Sequence, residues 1–410
     1  MKTIKDSKTK KHLLIIGGGY AGFWSALSAI RQSREIEKIE ELEVTLVNTD
    51  NYFTMRPRLY EVSLEGLRVK LDEYLKPIGV KQIIGKAEII DPENNEVVVA
   101  TSHGTRHLTY DYLILAAGSS LKALNLPGIE NTFNIDTYNN AERLEEHIIT
   151  LAKRNFEKEG DDTFVIAGAG LTGLEAVTSI EDKVKKMQEL YSTSQKDVKV
   201  ILVERHQEVG SYYSPEAKAY LNDTIVSKNI QVMTESEIIA IEPSRVILTH
   251  DIEIATSTVI WTIGMMASPL TRFLKGQRDS LNRISVDEFL KLREYPNVIV
   301  AGDVANVKVG KGQTAVMSCQ FSQFQGRWAG HNAVNDIFGL ELKEYIQNGY
   351  TTCLDLGVDN ALITDGWDRI LHKTGNEGKA VKTWICTDLI YPHDDVEEAV
   401  TDSFPMIPKF

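Results

Sequence analysis

Two stretches of this chain share one grammar. "HLLIIGGGYAG" runs from His12 to Gly22, and "FVIAGAGLTG" runs from Phe164 to Gly173. Each is a short apolar run, then glycines spaced G-x-G-x-x-G, then a helix-like pattern. The glycines are Gly17, Gly19 and Gly22 in the first copy and Gly168, Gly170 and Gly173 in the second. An apolar run this short reads as a buried parallel strand. In such a strand–turn–helix unit the first glycine permits the tight turn. The second lets the backbone approach a pyrophosphate, and the third lets the helix pack against the strand. The diphosphate then rests on the free N–H groups of the helix start. A lone glycine pattern is weak evidence, but here each copy follows a strand and opens a helix. A further apolar strand comes next, "EVTLVN" in one case and "VKVILVE" in the other, which makes the signal specific. The fold predicted is α/β, with two Rossmann-like dinucleotide-binding domains and a small C-terminal segment. One domain is expected to hold a flavin and the other a nicotinamide, set against each other for hydride transfer.

The ends of those following strands carry specificity. A carboxylate at this position accepts from a ribose hydroxyl and repels a 2′-phosphate. The second unit ends in Glu204, which favours NADH over NADPH, although the adjacent Arg205 softens the preference. The first unit ends in Asn48, which still hydrogen-bonds a ribose, though less strongly than a carboxylate.

Length and charge narrow the partners. The 410 residues suit about two or three domains. A net charge of −13 argues against nucleic acid, whose phosphates need a basic surface. It also argues for weak or absent membrane attachment. No apolar run approaches the roughly 18 residues of a membrane span. The lysine-rich start, "MKTIKDSKTKKH", precedes only four apolar residues and reads as a solvated leader rather than a signal peptide. The three cysteines, Cys319, Cys353 and Cys386, form no C-x-x-C pair and fit a reducing, cytoplasmic setting. A redox disulfide between neighbouring cysteines is therefore excluded, and no Cys/His spacing suggests a metal.

Further motifs fall in a telling order. "TYDYLILAAGS" (109–119) runs a strand into Gly118, where the chain leaves the first domain. "TVIWTIGM" (258–265) does the matching job at Gly264 on the return. "NVIVAGDVA" (297–305) sets Asp303 after a strand, at an expected helix start, where it would reach a ribityl hydroxyl. With the glycine loops, these resemble the two-dinucleotide-binding-domain flavoproteins, the pyridine nucleotide-disulfide reductase-like superfamily. The resemblance implies FAD binding by residues 1–122 and 283–345, an inserted NAD(P)H domain at 123–282, and a cap or interface segment at 346–410. A homodimer is a further expectation.

Within that superfamily the chain looks most like the type II NADH dehydrogenases. "NYFTMRPRLYEV" (51–62) is similar to their segment beside the flavin, which implies a contact by Arg56; Ala87 is a second expected flavin contact. Glu175 in "GLTGLE" matches a glutamate kept near the nicotinamide, the alternative being a solvated helix carboxylate. The family's acceptor helix carries two glutamines four apart. Here "SCQFSQFQG" offers Gln320 at the first position and Phe324 at the second, with Gln323 and Gln325 turned elsewhere. Cys319 would lie near the flavin, either as a small buried residue or as a redox thiol, and Cys353 is a further candidate. The helix starting near Met317 would aim its N-terminus at the flavin. Relatives of this kind usually end in membrane-lying helices. Here "GKAVKTWICTDLIY" is at most a short amphipathic piece, and the acidic "PHDDVEEAVTDSFPMIPKF" reads as a soluble tail. The function implied is electron transfer from NADH through FAD to a quinone or quinone-like molecule. The rivals are reduction or oxidation of a small soluble biosynthetic intermediate, and slow NADH sensing through a binding partner.

Overall fold

The computed structural model describes residues 10–122 and 125–407. Most of the leader, residues 1–9, lies outside the described residues. The first unit folds as β1 (Lys11–Ile16), α1 (Tyr20–Glu35) and β2 (Leu42–Asn48). Two more strands, β3 (Lys81–Ile84) and β4 (Tyr112–Leu115), join the same sheet. Then comes the short connector β5 (Ser119–Leu121). The second unit repeats the plan with β6 (Thr163–Ala167), α2 (Leu171–Leu190), β7 (Lys199–Val203), β8 (Gln231–Met233) and β9 (Thr258–Trp261). A second connector, β10 (Met265–Ala267), leads back to β11 (Val298–Val300) and α3 (Cys319–Ile337).

The two sheets share one four-strand plan, to which the first adds β11 at its edge. The first has strand order β11-β4-β1-β2-β3 and the second β8-β7-β6-β9, with every pairing parallel. In both, the glycine-bearing strand is central, so its loop opens at the point where strand order reverses, where α/β sheets bind ligands. The apolar runs are continuous because both faces of each sheet are covered. Along β6 the side chains alternate: Phe164 and Ile166 join the main core, while Val165 and Ala167 join a second cluster with Val259 and Trp261. The two connectors pair antiparallel, Ser119 opposite Ala267, and so stitch both crossings between the domains together.

Two packing details position the site. Helix α3 lies against α1 through glycines. A Cβ at Gly326 would sit 2.3 Å from the Ala21 carbonyl oxygen, and one at Gly330 2.2 Å from that of Ser25. The start of α3 is thereby held beside the first glycine loop. The C-terminal segment forms an antiparallel sheet, β12 (Thr351–Asp355), β13 (Ala361–Asp365) and β14 (Ile370–Lys373), followed by α4 (Gly375–Trp384) and α5 (Val396–Asp402). The acidic tail folds onto α1. Asp395 caps α5, accepting from Glu397 N and Glu398 N at 2.9 and 3.0 Å. Ala399 and Val400 are buried, and Glu397 meets Arg34 of α1 at 2.6 Å. The helical spacing of Val396, Ala399 and Val400 supplies an apolar stripe that the charge count concealed. Among the described residues, no helix is long and apolar enough to cross a membrane.

Candidate active site

The glycine loops show why each glycine is needed. Gly17 and Gly168 have φ of +107° and +96°, the left-handed region that only glycine enters freely. A Cβ at Gly22 would lie 1.8 Å from Gly17 O, and one at Gly173 1.9 Å from Gly168 O. The middle glycines differ: a Cβ at Gly19 or Gly170 would meet nothing within 4 Å. Their open face is the cradle a dinucleotide diphosphate needs, at the start of α1 in one domain and α2 in the other. On this test both loops fit a dinucleotide.

Asn48 and Glu204 grip the loops in the same way. Asn48 Oδ1 accepts from Gly18 N at 2.9 Å, while its amide donates to Asp50. Glu204 Oε2 accepts from Ala169 N at 2.8 Å and Oε1 from His206 N at 2.9 Å. Both side chains thus hold the residue between the first two glycines, a duty that sequence spacing alone did not reveal.

Asp303 closes a polar cluster beneath the connectors. It lies in a single 3₁₀ turn, Gly302–Val304, rather than at the start of a long helix. Ser119 donates to it at 2.6 Å and Ser322 of α3 at 3.2 Å. Arg56 lies 3.6 Å from Asp303, donates to Ser119 at 2.9 Å, and pairs with Asp136. Arg56 therefore ties the first glycine domain to the inserted one. Gly118 and Gly264, both at positive φ, bracket the connector ladder: Gly118 O accepts from Ser268 N at 2.9 Å and Gly264 O from Lys122 N at 2.6 Å. Ala87 pairs with Val99 in a peripheral antiparallel sheet and packs on the main core.

The start of α3 holds the expected acceptor-side residues. Ser318 caps the helix. Gln320 Oε1 is buried without a hydrogen-bond partner, an acceptor left for a ligand to satisfy. Phe324, one turn on, is 2 % exposed and sits in the core with the Arg327 guanidinium 5.2 Å from its ring centroid. Gln323 donates to Leu389 O and Gln325 accepts from Gly302 N, so both amides are structural. Burial pushes the Cys319 and Cys353 thiols up to about 12, so both stay neutral thiols.

Glu175 is not a solvated helix carboxylate. It is 8 % exposed and accepts from Lys382 Nζ of α4 at 2.8 Å and from Asp355 N at 3.2 Å. Burial pushes its carboxyl up, against the pull of Lys382. Burial works to lower Lys382, but Glu175 and Tyr60 hold it well above the usual lysine range. Asp355 completes the cluster, accepting from Tyr60 OH at 3.1 Å and Lys379 Nζ at 2.7 Å. Lys382, Lys379, Asp355 and Tyr60 were missed by sequence reasoning. Three of them come from the C-terminal segment, which carries no motif to mark them.

Comparison with known proteins agrees with this architecture. A sequence model of the pyridine nucleotide-disulphide oxidoreductase family matches residues 11–326. An NADH dehydrogenase-like protein of Mycobacterium tuberculosis is 34% identical over 383 residues, covering 93% of this chain and 94% of that protein. A type II NADH:quinone oxidoreductase of Staphylococcus haemolyticus is 25% identical over 402 residues, covering 94% and 96%. Among solved structures, NDH2 of Plasmodium falciparum in complex with NADH superposes with a TM-score of 0.78 at 13% identity, over 96% of this chain and 97% of that one, which speaks to the fold.

Proposed function

The chain belongs to the pyridine nucleotide-disulphide oxidoreductase family, and we propose that within it the protein passes electrons from NADH to a quinone-like acceptor. It is a flavoprotein oxidoreductase that uses FAD and NADH. The observation that carries the finer reading is the 34% identity, across nearly the whole length of both chains, with an NADH dehydrogenase-like protein. A cytoplasmic location belongs to the same reading.

Bound FAD would supply the two-electron chemistry between a reduced nicotinamide and the acceptor. The chain's own residues supply position. Gly17, Gly19, Gly22 and Asn48 form the FAD loop, with Asp303, Ser119 and Arg56 below it and Gly118, Gly264 and Ala87 assigned to its surroundings. Gly168, Gly170, Gly173 and Glu204 form the NADH loop. Hydride transfer needs alignment more than an acid or base, and Arg56 bridges the two domains that must align. The α3 N-terminus, capped by Ser318, favours negative charge in front of it. Glu175 orients the nicotinamide side through its bond to Lys382, and the unpaired Gln320 oxygen beside Cys319 is placed to accept from a hydroxyl of the reduced acceptor.

Glu204→Ala is expected to raise the NADH KM about tenfold and to narrow the NADH/NADPH preference, since it removes both a ribose acceptor and the grip on Ala169 N. Steady-state kinetics with both nucleotides reads this directly; unchanged selectivity would remove Glu204 from the ribose role.

The reading as a whole is tested by anaerobic stopped-flow. Protein reduced with one equivalent of NADH is mixed with a water-soluble quinone while flavin absorbance is followed. Fast reoxidation supports the quinone reading. Fast reduction by NADH followed by slow reoxidation favours a soluble metabolite as acceptor. The observation behind that second reading is Phe324, an apolar ring sealed in the core where the family resemblance implies a second amide.

A further inference from the structure

Residues 366–369 form the tip of the β13–β14 hairpin, outside the segment matched by the family model. Arg369 at this tip has φ +48°, with its amide bonded to Gly366 O and its carbonyl accepting from Ser214 N. Its guanidinium lies over aromatic rings, 4.4 Å from the Tyr212 centroid, 5.5 Å from that of Tyr213 and 5.8 Å from that of Tyr350. Among the described residues its guanidinium makes one hydrogen bond, Nη2 to Tyr350 OH at 3.3 Å, and Nε is buried without a partner. Among the described residues no carboxylate pairs with it. Three aromatic rings lie within 5.8 Å of this cation, and among the described residues most of its donors are unused.

What it sits beside gives those donors a purpose. Tyr212 OH donates to Ala169 O at 3.1 Å, in the middle of the Gly168–Gly170 turn. The face of Gly170 is open. On the other side Tyr350 stacks on Trp367 at 4.7 Å, and both rings lie about 6 Å from Phe321 at the start of α3. One line of contacts thus runs from the second glycine loop, through Tyr212 and Arg369, to the acceptor-side helix. A guanidinium that is stacked rather than ion-paired keeps its fork free for a bidentate phosphate.

We propose that Arg369 is a ligand for the diphosphate of NADH on the Gly168–Gly173 loop, with Tyr212 as its stacked seat. The C-terminal hairpin is then a wall of the dinucleotide site rather than a remote cap. This inference rests on the reading that the second loop holds NADH.

The test compares two probes on the FAD-loaded protein by calorimetry: ADP-ribose, which carries the diphosphate, and adenosine, which does not. Arg369→Met keeps an apolar stem at this position and removes the charge. It is expected to weaken ADP-ribose about ten- to hundredfold and to leave adenosine unchanged. Arg369→Lys keeps the charge without the fork and should weaken ADP-ribose alone, by a smaller factor. Equal loss of both probes makes Arg369 a mere support for the aromatic wall and overturns the proposal, as does no loss of either. If R369M loses FAD or melts early, R369K is read by the same criteria. Failure of the wild-type protein to bind ADP-ribose or to be reduced by NADH sinks the NADH reading itself, a result separable from the others.

Discussion

Lys382→Met lowers folding stability by about 3–5 kcal/mol at neutral pH, because it leaves the Glu175 carboxyl buried without its partner, so that it must take up a proton to stay there. The pair qualifies for this range: Lys382 is 7 % and Glu175 8 % exposed, and they meet at 2.8 Å. The pH dependence separates this mechanism from simple loss of packing. Burial already raises Glu175, and without the ammonium it rises further. The folded state then holds a proton that the unfolded state releases above about pH 4. Stability of the variant therefore falls as pH climbs through and beyond the usual carboxylate range, and its deficit shrinks in acid. In the wild-type protein the lysine acts with the same sign, in a higher pH window. Its raised value makes its contribution complete below the ordinary lysine pKa and lost only as pH passes the higher folded one. Denaturant midpoints of wild type, K382M and E175Q/K382M across pH check both points. The double variant should recover most of the loss, since a glutamine can still accept from Asp355 N. A loss below about 1 kcal/mol with no pH dependence would mean that water reaches the pair.

That cluster also marks where the sequence stopped being legible. The glycine loops could be read because the chemistry is local: a strand, three glycines and a helix start must be adjacent in the chain to work. The order of the two domains followed from the same motifs. Glu175 was found only by resemblance, and its partner not at all, because Lys382 lies 207 positions away and its helix looks like any short amphipathic piece. The packing of the tail was not legible for a related reason. Net acidity suggested solvent, but Ala399 and Val400 are placed by a three-residue spacing that matters only once α1 is there to receive them. Phe324 was legible as an apolar replacement, while its seat in the core beside Arg327 depends on the whole α1–α3 packing. Asn48 and Glu204 were expected to face a ribose. Their bonds to Gly18 N and Ala169 N are set by loop conformation, which spacing does not encode.

The duplication allows the two halves of the site to be separated by one methyl group each. Gly22→Ala and Gly173→Ala are chemically the same change in the same structural position. The new Cβ would fall 1.8 Å from Gly17 O in one case and 1.9 Å from Gly168 O in the other. Both obstacles are backbone, so no rotamer change relieves the clash. The loop must open, and its N–H groups lose their aim at a diphosphate. The consequences differ because the ligands differ. Gly22→Ala is expected to be purified with little FAD and, lacking the cofactor that binds only the folded state, with reduced thermal stability. Gly173→Ala is expected to keep its FAD, since its loop lies in the other sheet, and to be reduced by NADH at least a hundredfold more slowly, a transition-state loss of about 2.7 kcal/mol or more. A chemical reductant should bleach the flavin of Gly173→Ala normally, which excludes damage at the flavin itself. Visible spectra of the purified variants and stopped-flow reduction check the pair. If Gly173→Ala lost FAD, or Gly22→Ala kept it, the assignment of one cofactor to each loop would be reversed or wrong, because the two loops are too alike in geometry for the clash alone to explain the difference.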